Sequence, residues 1–151
     1  MEFGDLVYLK KLKYSDDIDE VRNGIINIKD SKMLHVFAAN YNWDNGFDIP
    51  NIIIFSENCD FGTALMMFYN ADGYRMLESG VDLNSLSFCK WKDFVNLLYN
   101  RLKNNGFNYQ NISYTPSISK VQAYKLKKNN PNIPEEILKK SPGIEFEIPI
   151  L

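Results

Sequence analysis

Over residues 91–102 the apolar side chains Trp91, Phe94, Val95, Leu98 and Leu102 recur at helical spacing, while Lys92, Asn96, Asn100 and Lys103 take the other face. Such a stripe folds as an amphipathic helix that must bury one side against other elements, and Asn105-Gly106 supplies its stop. The same grammar recurs upstream. Leu34, Phe37, Ala38 and Tyr41 form a second stripe behind Asp30 or Ser31 as cap. Ile18, Val21, Ile25 and Ile28 form a third, over about residues 16–28, with Ser15 as cap and Asp16 and Asp17 in the first turn.

The remaining segments read as shorter pieces. Phe3, Leu6, Val7, Leu9 and Leu12 among lysines fit a short helix over residues 3–14 better than a strand. Asn45-Gly46 is turn chemistry, and Pro50, which disfavours a helical Ile49, can start a short apolar helix through Phe55; a strand over residues 52–55 competes with it. Asp60 caps a helix containing Ala64, Leu65, Met67, Phe68 and Tyr69, apolar nearly all round and so central, and Asp72-Gly73 ends or kinks it. Residues 79–88 read as a loop around Gly80. Ser117 is placed to cap a basic helix from Ile118 to about Lys128, and Pro134 to open a short helix through Lys140. The tail alternates Ile144, Glu145, Phe146, Glu147 and Ile148, the period of a half-buried strand, with Phe107 to Tyr114 as its available partner.

These elements predict a mainly α fold, a bundle of six to seven helices with a short C-terminal strand or hairpin, in one domain over residues 1–151. The longest apolar run, Ile52 to Phe55, falls far short of a membrane span, and residues 1–5 do not resemble a secretory signal, so a cytoplasmic protein is expected. Cys59 and Cys89 are then expected as thiols.

Chemistry-bearing motifs are sparse. His35 is the one histidine and sits mid-helix, where packing is its ordinary role; a triad or dyad would have to bring Cys59 or Cys89 to it. Asp60-Phe61-Gly62 spells the magnesium-binding triplet of protein kinases without that fold's other parts, and a helix cap explains Asp60 better. Asp44-Asn45-Gly46-Phe47-Asp48 resembles the start of a calcium loop, but Ile49 and Phe55 stand where glycine and glutamate are required. A turn in which Asp44 and Asp48 hold backbone amides is the default. No cofactor, metal or catalytic set is expected.

Charge is segregated along the chain. Residues 41–89 carry seven acids (Asp44, Asp48, Glu57, Asp60, Asp72, Glu78, Asp82) and one base (Arg75), whereas residues 90–140 carry ten bases and three acids. On composition the acids read first as caps and turn residues and second, with Trp43, Phe47 and Tyr74 among them, as a surface for a basic protein partner. The basic stretch from Ser119 to Lys140 lacks the interleaved aromatics and arginines of a nucleic-acid site and reads as a solvated face.

The strings YNWDNGFDIP (41–50), CDFGTALMMFYNADGY (59–74) and WKDFVNLLYNRL (91–102) together resemble the bacterial family catalogued as domain of unknown function 4274, over roughly residues 30–105. The resemblance implies a helical bacterial domain without established enzymatic activity, of the kind expected among immunity partners of polymorphic or contact-dependent toxins. The expectation is a non-catalytic immunity protein that neutralises a cognate toxin, a nuclease by preference, through Trp43, Asp44, Asp48, Glu57, Asp72 and Tyr74, with neither nucleic acid nor membrane as partner. The alternatives are a small enzyme using Cys59 or His35, and an interaction module that adds its 144–148 tail to a partner sheet.

Overall fold

Four of the helix starts are set by side chains that accept from free first-turn N–H groups, and the computed structural model describes residues 1–79 and 89–151. The loop expected over residues 79–88 lies, beyond Ser79, outside the described residues. Helix α1 spans Phe3–Tyr14, α2 Ile18–Ile26, α3 Ser31–Ala39, α4 Asp48–Phe55, α5 Phe61–Asn70, α6 Gly73–Ser79, α7 Cys89–Lys103 and α8 Lys120–Asn129, with single 3-10 turns at Trp43–Asn45 and Glu135–Ile137. The fold is thus mainly α, with eight α-helices among the described residues rather than six or seven.

Asp30 and Asp60 cap α3 and α5 as their positions predict. Three boundaries move. Asp17, not Ser15, caps α2, accepting from Asp19 and Glu20 N–H, while Ser15 Oγ accepts from Asp17 N and donates to Glu20. Ser119, not Ser117, caps α8, because only Ser119 has Gln122 three residues on to complete a reciprocal capping box. Pro50 lies third in α4 rather than first, and Ile49 is helical. The missing proline N–H falls among the first-turn groups that have no partner anyway, and Asn51 N–H reaches Phe47 O at 2.9 Å. The helical reading of residues 52–55 stands and the strand reading falls.

Helix ends follow the same logic. Asn105 takes a left-handed φ of 52°, and the bonds Gly106 N–H to Arg101 O and Asn105 N–H to Leu102 O close α7 in a Schellman motif. Asp72, with φ 63°, turns the chain from α5 into α6.

Helix α5 lies at the centre, packed on α3, α6 and α7, while α2 packs on α4 and α1 on α2 and α3. All residues from Phe61 to Phe68 are buried, as an all-round apolar helix requires. One apolar cluster runs from Leu9 through α5 to Ile133, Ile137 and Leu151.

The C-terminal third wraps this core instead of forming a sheet. Among the described residues there is no strand, only isolated parallel bridges pairing Asp60 with Tyr109 and Ile112 with Ile144. The expected partner segment is met, through Ser113 N–H to Ile144 O and Ile144 N–H to Asn111 O, but Gly143 (φ 109°) and the flanking Pro142 and Pro149 keep the ladder from extending. Of the alternating tail, Phe146 packs on the core and Ile144 is exposed. The helix expected from Pro134 to Lys140 is reduced to a single 3-10 turn, secured by the Tyr69 hydroxyl donating to Ile137 O at 2.7 Å.

Candidate functional site

The residues around Trp43 form a braced turn. Asn42 Oδ1 accepts from Asp44 N–H, Gly46 takes φ 87°, and the Tyr41 hydroxyl donates to Gly46 O at 2.8 Å. Burial, reinforced by the nearby Asp48 carboxylate, pushes that phenol up to about 12. The amide is therefore held by Asn42, not by Asp44 or Asp48. Asp44 is free for solvent, and Asp48 instead meets Arg22 of α2 at 3.1 Å.

Trp43 and Phe47 are not presented as free anchors. Both are half-buried, Trp43 lying edge-on to Tyr41 at 5.3 Å and both rings packing on Phe94, at 5.8 and 5.2 Å. Their apolar area stabilises the core. What they leave outside is the carboxylates of Asp44 and Asp48, on a frame that cannot shift without disturbing α7.

The other predicted residues fall into two more places. Glu57 is exposed just beyond α4, where its backbone carbonyl accepts from Asn108 Nδ2. Asp72 is exposed at the α5–α6 turn, and Tyr74 is half-buried with Glu78 and, from α8, Gln122 near its hydroxyl; burial and then Glu78 raise that phenol. Trp91 connects this corner to α7, donating to Ala71 O at 2.7 Å beneath the Arg75 guanidinium. Asp48 and Glu57 thus bracket α4, with Asp44 beside the former, and Asp72 and Tyr74 form a separate corner.

Asp60 leaves the acidic surface altogether. It is buried, its Oδ1 accepting from Gly62 N–H at 2.8 Å and its Oδ2 from Asn111 N–H at 2.6 Å. Burial raises its carboxyl above the usual range, opposed by those backbone donors. Phe61 N–H donates to Tyr109 O, and Gly62 has no room for a Cβ beneath Ile112 O. The Asp-Phe-Gly triplet is a dock for the C-terminal wrap.

The two candidate catalytic groups are sequestered. His35 Nδ1 lies 2.9 Å from Thr63 Oγ1, its ring tilted against Phe146 at 5.4 Å, and burial lowers its pKa to about 4. Cys59 is a free, buried thiol that donates weakly to Asp60 O, and burial pushes it up to about 12, far from the thiolate a nucleophile needs. Among the described residues no group of three His, Cys, Asp or Glu could hold a metal, and no helix is long and apolar enough to cross a membrane.

One surface feature lay hidden in the sequence. Ile26 and Phe55 line a groove of about 490 Å³ between α2 and α4, whose rim includes Glu57. The available signal was that Ile26 falls off the Ile18–Val21–Ile25–Ile28 stripe, an apolar residue on the side of α2 that the stripe leaves to solvent.

The strings around Trp43, Cys59 and Trp91 thus occupy the α3–α7 part of the fold, and residues 29–103 match the family model described as Domain of unknown function (DUF4274). Over that stretch, just under half of its length, the chain is similar to this family. Comparison with curated proteins and with solved structures returns no match.

Proposed function

We propose that the chain is a non-catalytic immunity protein, which binds a cognate bacterial toxin and occludes its working surface. The observation that carries the reading is the division of labour around α4: Asp44 and Asp48 are exposed beside the packed rings of Trp43, Phe47 and Phe94, and Glu57 is exposed beyond the helix's other end. A nuclease is the preferred toxin class, since its phosphate-binding cleft is basic and these carboxylates can stand in for phosphates. The sequestration of His35 and Cys59 favours binding over the enzymatic alternative. Binding to Asp72 and Tyr74 would form a second, separate contact.

The test is survival of cells expressing the toxin encoded beside this chain's gene, with and without the chain. Equal killing in the two cultures would refute the reading. A turnover signal that disappears in Cys59→Ala or His35→Ala protein would replace it with the enzymatic one.

A further inference from the structure

Helix α8 rests on the core through Leu126, its one buried residue. Local bonds hold it in place. Ser119 Oγ accepts from Gln122 N–H at 3.0 Å while Gln122 Oε1 accepts from Ser119 N–H at 2.8 Å, and at the other end Asn130 N–H donates to Leu126 O and the Lys127 ammonium to Ile133 O. Away from Leu126 the helix presents Val121, Tyr124, Lys125 and Lys128, spaced i, i+3, i+4 and i+7 and so on one face. All four are exposed, Val121 by 61% and Tyr124 by 66%. Folding gives no reason for this apolar pair. An exposed valine buries little, and as a β-branched residue it is a poorer helix former than the lysines beside it.

The charge on the face itself has one sign. Helix α8 carries Lys120, Lys125, Lys127 and Lys128 and no acid, and none of these lysines belongs to an ion pair among the described residues. The acids on adjoining elements lie to either side: Glu78 is near the Tyr74 hydroxyl alongside Gln122, and Glu135 and Glu136 open the 3-10 turn that follows the helix. An apolar centre flanked by unpaired ammonium groups is complementary to an acidic segment that carries an apolar side chain. A nucleic acid fits this face less well. Its phosphates would leave Val121 uncovered, and the face offers one aromatic ring and no arginine where strand binding uses successive stacking platforms.

We propose that the outer face of α8 is a docking surface for an acidic segment of a protein partner, which lays one apolar side chain between Val121 and Tyr124 and sets carboxylates against Lys125 and Lys128. The surface goes beyond the immunity reading and uses none of the residues assigned there to the toxin. It also lies outside residues 29–103, so it is an element that the family model does not cover. The reciprocal cap at Ser119 fixes the helix before a partner arrives, which lowers the ordering cost of binding.

The test is a titration of the isotope-labelled full chain with the peptide amide acetyl-Glu-Leu-Glu-Glu and with its counterpart acetyl-Lys-Leu-Lys-Lys, followed by amide chemical shifts. Shifts centred on Val121, Tyr124, Lys125 and Lys128 are expected at roughly millimolar acidic peptide, with the lysine peptide about tenfold weaker or more. Added salt should narrow that gap. Val121→Glu places an acid in the first turn of α8, where the helix favours one, and should fold normally while abolishing the shifts. The double variant Lys125→Glu, Lys128→Glu should do the same from the solvent side, with circular dichroism confirming that both proteins are folded. Equal binding of the two peptides, shifts centred away from α8, or unchanged binding by a folded variant overturns the proposal. So does a short oligouridylate that binds this face more tightly than the acidic peptide, since the surface would then be one for phosphate.

Discussion

Gly62 and Ile112 meet so closely that a Cβ on the glycine would occupy the space of the Ile112 carbonyl oxygen, with Ser141 Oγ at its flank. Both sides of the clash are backbone, one in the first turn of α5 and one in the C-terminal wrap, so neither can yield by a rotamer change. Gly62→Ala is expected to cost about 3 kcal/mol or more, outweighing the gain of up to about 1 kcal/mol that alanine brings to a helix. Gly4→Ala in α1, with no atom within 4 Å of the new methyl, should be neutral or slightly stabilising. Urea denaturation of the two variants checks the contrast.

Asp60 serves the same junction from the side-chain direction. Asparagine there keeps one acceptor and turns an amide NH₂ toward a backbone N–H of Gly62 or Asn111. Asp60→Asn should therefore destabilise by about 1–3 kcal/mol, the cost of one buried unpaired donor. Hydrogen exchange should speed up at Asn111 if the wrap loosens locally; an unchanged rate and an unchanged midpoint would show that the carboxylate does not hold it.

His35 gives the fold an acid sensitivity. Its folded pKa of about 4 lies below the ordinary 6.5, so the unfolded chain takes up a proton first as pH falls. Stability from this group is complete above pH 6.5, declines between 6.5 and about 4, and is lost below that, by ~3 kcal/mol in all. Asp60, whose carboxyl is raised, acts in the opposite sense: the folded chain keeps its proton where the unfolded chain has lost it, so its contribution falls as pH rises. Subtracting the pH–stability curve of a His35→Gln variant should isolate the histidine slope; parallel curves between pH 4 and 6.5 would contradict the assignment.

Reversing Asp44 and Asp48 to lysine should separate binding from folding. Both carboxylates are exposed, and the Asp48–Arg22 pair is a surface ion pair, so the loss in stability should stay within about 1 kcal/mol. Association with a basic toxin should slow by about tenfold at low salt, with the gap narrowing as salt is added. Surface plasmon resonance at two ionic strengths reads both effects, and an unchanged association rate would exclude this patch from the interface.

The sequence conveys the helical core because each long helix carries its instructions locally. The stripe from Trp91 to Leu102 and the caps at Asp30 and Asp60 are matters of spacing within one or two turns. What it conceals is set by residues far apart. The alternation from Ile144 to Ile148 has the period of a strand, but whether it pairs depends on Asn111 and Ser113 some thirty positions earlier and on the glycine and prolines that interrupt it. By their positions in the chain, Trp43, Asp44, Asp48, Glu57, Asp72 and Tyr74 suggest one acidic and aromatic surface. Asp44, Asp48 and Glu57 do lie around α4, yet Trp43 is drawn inward by Phe94, and Asp72 and Tyr74 belong to another corner. The groove went unseen for the same reason, since nothing near Ile26 in the chain announces Phe55.

The hydrogen bond from Asn111 to Asp60 spans 51 positions, and those from Leu151 to Asn40 and from Lys13 to Leu151 span 111 and 138. During synthesis, α5 therefore leaves the ribosome well before the segment that seals its first turn, and Asp60 and Gly62 must wait for that cover. Expressing residues 29–103 alone would make that interval permanent. The stretch matched by the family model then lacks, in this chain, the segment that seals the start of α5, and an isolated fragment should be less stable than the full chain.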